Sequence, residues 1–179
     1  MRYVPLHVHT EYSLLDGAIR IKDYCKYAKE NGLEAIAVTD HGNMYGAIEL
    51  YRNAKENGLK ALIGCEMYVL HGDIEEKDRA KNDLFHLVLI AKNITGYQNL
   101  VKLVSASHIK GMYYKPRINH EYLEKYSEGL ICLSACIQGE IFQSVIRGNK
   151  EQAREYAKYY KDLKDVMNCG IYQKLYSLV

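Results

Sequence analysis

Short apolar runs rich in β-branched and aromatic residues alternate along the chain with segments in which apolar positions recur at helical spacing. The runs at residues 3–8, 33–39, 61–69, 87–91 and 130–134 are predicted strands. Between and after them, apolar residues at i, i+3, i+4 and i+7 predict helices: Ile21, Tyr24, Cys25 and Ala28; Met44, Ala47, Ile48 and Tyr51; Tyr97, Leu100, Val101 and Val104; Ala153, Tyr156, Ala157 and Tyr160. Such alternation predicts an α/β fold of β-α units around a parallel sheet. The hexapeptide AKENGL occurs at 28–33 and again at 54–59, each time ending a helical stripe and entering a strand. Gly32 and Gly58 fit the left-handed position just past a helix end, where a Cβ is disfavoured. A βα barrel and a doubly wound open sheet share this local pattern, so periodicity alone leaves both open.

At 179 residues, 48% of them apolar, the chain can bury a single sizeable core. A formal charge of +2 is too small to mark a nucleic-acid binder. No apolar run is long enough to span a bilayer, and the start MRYVPLHVHT resembles neither an anchor nor a signal peptide, so a cytoplasmic protein without membrane contact is expected. The five cysteines, Cys25, Cys65, Cys132, Cys136 and Cys169, include no CxxC pair; reduced thiols are expected rather than a disulfide framework or zinc knuckle. The tyrosines mostly fall at helical core spacing or singly, which favours packing over base stacking.

Candidate chemistry gathers at predicted strand ends, where parallel-sheet proteins place ligands. His7 and His9 are two apart in an extended segment and share a face, so both imidazoles can reach one metal cluster. Asp16 follows in YSLLDGA, Asp40 and His41 close the second strand in AVTDHGN, and Glu66 lies in GCEMYV. His86 and Cys136 come later, in DLFHLVLIAKN and LICLSAC. This mixture of imidazole, carboxylate and thiolate suits zinc, manganese or iron better than calcium or magnesium alone and points to a multinuclear site. Any one histidine is more often an ordinary core or surface residue; HxH, an acid and TDHGN together are a much rarer coincidence. His71, His108 and His120 fall in loop or helix segments without metal-ligand spacing and are read as structural. Cys25, Cys65 and Cys132 read as core residues. GMYYKPR, residues 111–117, is a basic and aromatic loop that either touches phosphate or is simply solvated.

The runs HVHTEYSLLDGAI, AVTDHGNMYGAIELY, GCEMYV, HLVLIAKNITGYQNL, GMYYKPRI and GLICLSACIQGEI resemble, in order and spacing, the PHP phosphoesterase domain that opens bacterial replicative DNA polymerase III alpha subunits. TGYQNL and KPRI belong to the polymerase branch rather than to PHP phosphatases in general. The resemblance implies a distorted, TIM-like (βα)7 barrel over residues 1–165, incomplete at its C-terminal side, followed by a divergent tail at 166–179. It implies His7, His9, Asp16, His41, Glu66, His86 and Cys136 as ligands of two or three divalent ions: zinc, manganese, iron or magnesium. For His86, which opens its strand, the assignment rests on the resemblance alone. The family's closing Asp-x-His pair has no counterpart in this chain, so an incomplete site is expected. The implied function is a 3′-5′ exonuclease that meets DNA through the rest of the polymerase, beside the other polymerase III subunits. The alternatives are a non-catalytic structural module, a free-standing PHP phosphatase acting on a phosphomonoester such as histidinol phosphate, and a metal-free hydrolase using Cys136 and His86.

Overall fold

The computed structural model describes residues 3–78, 83–163 and 167–168. Its elements are α1 (Ile21–Glu30), β1 (Ala35–Val38), α2 (Ala47–Glu56), β2 (Lys60–Leu70), β3 (Phe85–Ala91), α3 (Ile94–Ile109), β4 (Met112–Tyr113), β5 (Lys115–Asn119), α4 (His120–Lys125), β6 (Leu130–Leu133), α5 (Glu140–Ile146), α6 (Lys150–Asp162) and β7 (Met167–Asn168). Of the tail 166–179, only β7 lies within the described residues. No helix among those residues is long and apolar enough to cross a membrane.

The strands form one sheet in the order β4-β5-β2-β3-β6-β7, with β1 beside β2. β2 is the spine: its first half pairs in parallel with β1, its last three residues pair in parallel with β5, and residues 64–69 pair with β3. The α/β class holds, but the sheet is mixed rather than uniformly parallel, because β3 runs antiparallel to both β2 and β6. The described part of the connection from β2 to β3 holds no helix. A parallel return needs a long crossover, usually helical, so the chain simply doubles back.

Side-chain alternation along β3 separates two environments. Leu87 and Leu89 pack under the helices with Met67, Val69, Leu100, Leu103 and Ala157, whereas Val88 and Ile90 meet Leu133 on the opposite face. A smaller cluster seats Cys25 and Ala28 of α1 and Leu50 and Ala54 of α2 against Ile36 and Val38. The α1 and α6 stripes are buried much as their spacing predicts. In α2 the buried set is Ala47, Leu50 and Ala54, and Ile48 and Tyr51 are exposed. The helix begins three residues later than its apolar pattern suggests because Asn43 holds the preceding turn, accepting from the Tyr45 amide and donating to the carbonyls of Tyr12 and His41. Residues 3–8 form no ladder strand. Pro5 lacks an amide proton, and Val8 joins β1's end through the Thr39 amide and hydroxyl instead. Gly32 and Gly58 do take left-handed φ values, +68° and +71°.

Candidate metal centre

Three loops and two strands build the site. The first loop carries His7, His9 and Asp16, and the buried Asp40 carboxylate holds it. Asp40 accepts from the Thr10 amide at 2.6 Å, the Thr10 hydroxyl at 2.7 Å and the Ser13 hydroxyl at 2.7 Å. Ser13 Oγ in turn accepts from the His41 amide. The second loop, Asp40-His41-Gly42, is clasped to β2 by two backbone bonds, Glu66 N–H to Asp40 and Gly42 N–H to Glu66. Gly42 turns there with φ +62°, and a Cβ on it would stand 2.5 Å from Pro116. His108 of α3 fixes the same turn from outside, with Nε2 2.8 Å from the Gly42 carbonyl.

β2 delivers Glu66, 1% exposed. Antiparallel β3 delivers His86, whose register partner is Tyr68, two residues beyond Glu66. This orientation explains how a residue that opens its strand reaches a site built on the closing ends of others. β6 ends in Leu133, and Ala135 then takes a left-handed φ of +58°, rare for a side chain with a Cβ. That turn brings Cys136 Sγ to 3.5 Å from His86 Nδ1.

The seven residues form one network around Glu66. His7 Nε2 lies 2.8 Å, His9 Nε2 3.0 Å and His41 Nδ1 3.3 Å from Oε2, and His86 Nδ1 faces Oε1. Asp16 Oδ2 is 3.0 Å from His41 Nε2. The His9 and His41 rings stack at 4.0 Å. Burial pushes the Glu66 carboxyl up, but hydrogen bonds from His7, His86 and His9 outweigh it and hold the group well below the carboxylate range. Asp16 is lowered by its bond to His41. Burial opposes the charged form of His9, yet Glu66 raises its pKa on balance.

Two polar atoms of this site, His41 Nδ1 and Glu66 Oε1, are buried without good hydrogen-bond geometry. Buried polar atoms are costly unless well paired, and these two have only the non-ideal contacts of the imidazole cluster, Glu66 Oε1 with His86 Nδ1 and His41 Nδ1 with Glu66 Oε2. Two donor sets, His7-His9-Glu66 and His41-Glu66-His86, each have ligand atoms within 4.8 Å of one another and share the carboxylate. Asp16 and Cys136 extend them on either side. A cleft of about 250 Å³ opens beside His41, lined in part by Ser13, Leu14, Tyr45, Tyr68 and Lys115. A larger hollow of about 710 Å³ lies at the other end of β2 and β3, and its lining includes no imidazole, carboxylate or thiol.

Other expectations are corrected in detail. Arg117 of the 111–117 segment is buried, donating to the carbonyls of Gly111, Ile74 and Glu76, so it is unavailable to phosphate. Lys115 remains at the cleft, its Nζ 5.2 Å above the Tyr68 ring. Cys25, Cys65 and Cys132 are buried as expected, and burial pushes the Cys25 thiol up to about 11. Asp40, a strand-end acid in sequence, organises the loop, and nothing in its spacing distinguishes that role from ligation. His71 and His120, read as structural, meet at Glu140 outside this site.

A family profile described as PHP domain matches residues 5–171. A DNA polymerase III subunit alpha from Campylobacter jejuni is 51% identical over 92% of this chain and 14% of its own length. Its counterpart from Treponema pallidum is 45% identical over 94% of this chain and 14% of its own, and that from Deinococcus radiodurans 42% identical over 90% and 13%. The chain thus spans about a seventh of the length of the curated relatives it matches.

Proposed function

The chain belongs to the PHP domain family, and from that premise we propose that it serves as the metal-dependent phosphoesterase portion of a replicative DNA polymerase III alpha subunit, removing nucleotides from a DNA 3′ end. The observation that carries this reading is Glu66, a buried carboxylate whose oxygens face four imidazoles and belong to two donor sets at once. A shared carboxylate is the donor a multinuclear centre needs between its ions. The poorly aligned buried contacts of His41 Nδ1 and Glu66 Oε1 fit the same reading.

We assign His7, His9, Asp16, His41, Glu66, His86 and Cys136 as ligands of two or three divalent ions, within a PHP portion spanning residues 1–165. When bound, such ions supply Lewis-acid chemistry, acidifying a water and drawing charge from a phosphoryl oxygen. The chain's own groups supply the rest. Asp16, ionised and half exposed at the mouth, orients His41 by accepting from Nε2. Burial raises the Tyr68 hydroxyl to about 12, so it stays protonated and can donate to a phosphate. Lys115 adds a positive charge above that ring. Leu14 and Leu15, 89% and 90% exposed, give the cleft an apolar rim for a terminal base. Within a full-length subunit the domain would meet DNA through the rest of the polymerase, beside the other polymerase III subunits, in the cytoplasm.

The test is a 5′-labelled oligonucleotide incubated with the purified chain and manganese or zinc. Stepwise shortening from the 3′ end, abolished by chelator and by Glu66→Gln, is the expected result. Metal-loaded but inactive protein would assign a structural module instead. Phosphate release from histidinol phosphate alone would assign a small-molecule phosphatase, and activity indifferent to chelator a Cys136-His86 hydrolase.

A further inference from the structure

On the helix-covered side of the β2-β3 ladder lies a second convergence of metal-ligating side chains. His71 directly follows β2, His120 opens α4 and Glu140 opens α5. Glu140 is 2% exposed. His71 Nε2 lies 2.5 Å from Oε1, and His120 Nε2 lies 3.0 Å from Oε1 and 3.2 Å from Oε2. The hydroxyl of Tyr160, from α6, donates to Oε2. The three donor atoms sit within 4.8 Å of one another. Neighbouring rings fix both imidazoles: Phe85 and Tyr156 stack on His71 with centroids 5.0 and 5.5 Å away, and Tyr159 stacks on His120 at 4.4 Å. The Asn119 side chain caps α4 and so sets where His120 stands. Phe85 and His86 are consecutive in β3 and point to opposite faces, so the sheet separates this cluster from Glu66.

We propose that His71, His120 and Glu140 form a second, independent site for one divalent ion of the zinc class, which clamps α4 and α5 to the end of β2. Hydrogen bonding alone accounts poorly for the arrangement. His71 Nε2 faces both Glu140 Oε1 and, at 3.1 Å, the Tyr156 hydroxyl, yet one ring nitrogen has only one proton or one lone pair. With an ion at the centre, both Nε2 lone pairs and Oε1 become ligands, and Tyr160 orients the carboxylate through its other oxygen. Tetrahedral zinc with ligands at 2.0–2.1 Å separates them by about 3.3 Å, so modest side-chain shifts suffice. Two histidines and one glutamate leave a fourth position for water, and the His71 side chain, 43% exposed, leaves a way in from solvent. The ligands are distant in sequence and Tyr160 adds α6, so the ion acts as a structural tie. This site does not depend on the function proposed for Glu66.

The test is zinc per chain after equilibration at buffered micromolar free zinc, compared between the wild type and His71→Gln and His120→Gln. Each variant should bind one equivalent less while keeping its Glu66-centred metal, and zinc should raise the thermal midpoint of the wild type more than that of either variant. A His7→Ala, His9→Ala chain separates the two sites: it should lose metal from the Glu66 centre while keeping the equivalent that added His120→Gln removes. Wild-type stoichiometry in both glutamine variants would overturn the proposal.

Discussion

Asp40 should matter more to stability than its place beside a proposed ligand suggests. Its carboxylate is 1% exposed and satisfies three donors, the Thr10 amide and the Thr10 and Ser13 hydroxyls. Hydrogen bonds to a charged group contribute about 1.5–3 kcal/mol each, neutral ones about 1 kcal/mol. In Asp40→Asn the amide oxygen can replace Oδ1, serving the Thr10 amide and Ser13, while the NH₂ faces the Thr10 hydroxyl, which can rotate to accept. The loss is then the charge-assisted part, about 1 kcal/mol per bond and about 3 kcal/mol in all. Asp40→Ala leaves three buried donors unpaired and should cost about 4–6 kcal/mol, a large share of a domain stability of about 5–15 kcal/mol. Equilibrium urea unfolding of the chelator-treated chain measures this, with a lower midpoint and an unchanged slope expected. The same loop carries His7 and His9, so Asp40→Asn should also weaken metal binding about 10–100-fold. An Asp40→Asn stability within about 0.5 kcal/mol of wild type would refute the argument.

Three further outcomes follow from buried groups elsewhere. Arg117→Lys keeps the charge but cannot reach the carbonyls of Gly111, Ile74 and Glu76 together; a loss of about 2–4 kcal/mol in urea unfolding is expected. Gly96→Ala would drive a Cβ into the Gly129 carbonyl oxygen, so α3 must shift, at about 3 kcal/mol or more by the same assay. In the metal-free chain Glu140 titrates at about 2, because His120, His71 and Tyr160 outweigh the burial that would raise it from 4.5. A depressed carboxylate stabilises the fold above its unfolded pKa, so this contribution, up to about 3 kcal/mol, is lost as pH falls from about 4.5 toward 2. Glu140→Gln should flatten the acid limb of stability against pH, and an unchanged slope would contradict the assignment.

Strand and helix existence was legible wherever one face is buried over several turns, as in α1 and α6, or where a strand is covered on both faces, as in β2 and β3. What sequence spacing could not reveal was direction. His86 opens its strand, and only the antiparallel β2-β3 pairing, which sets it opposite Tyr68, brings it to the site. The short helices α4 and α5 are too brief to show an apolar stripe, and they carry two of the three residues at the second cluster. HxH and TDHGN stood out because their donors are close in sequence. His71, His120 and Glu140 are brought together only by tertiary packing, and no local pattern announces them.

Every role proposed for the site turns on Glu66 as the shared ligand of a multinuclear centre. The most direct test is an anomalous difference map from crystals of this chain grown with zinc or manganese. Peaks on both sides of the Glu66 carboxylate, one beside His7 and His9 and another beside His41 and His86, are the predicted result. A well-ordered Glu66 with no anomalous peak within bonding distance of either oxygen would contradict the account.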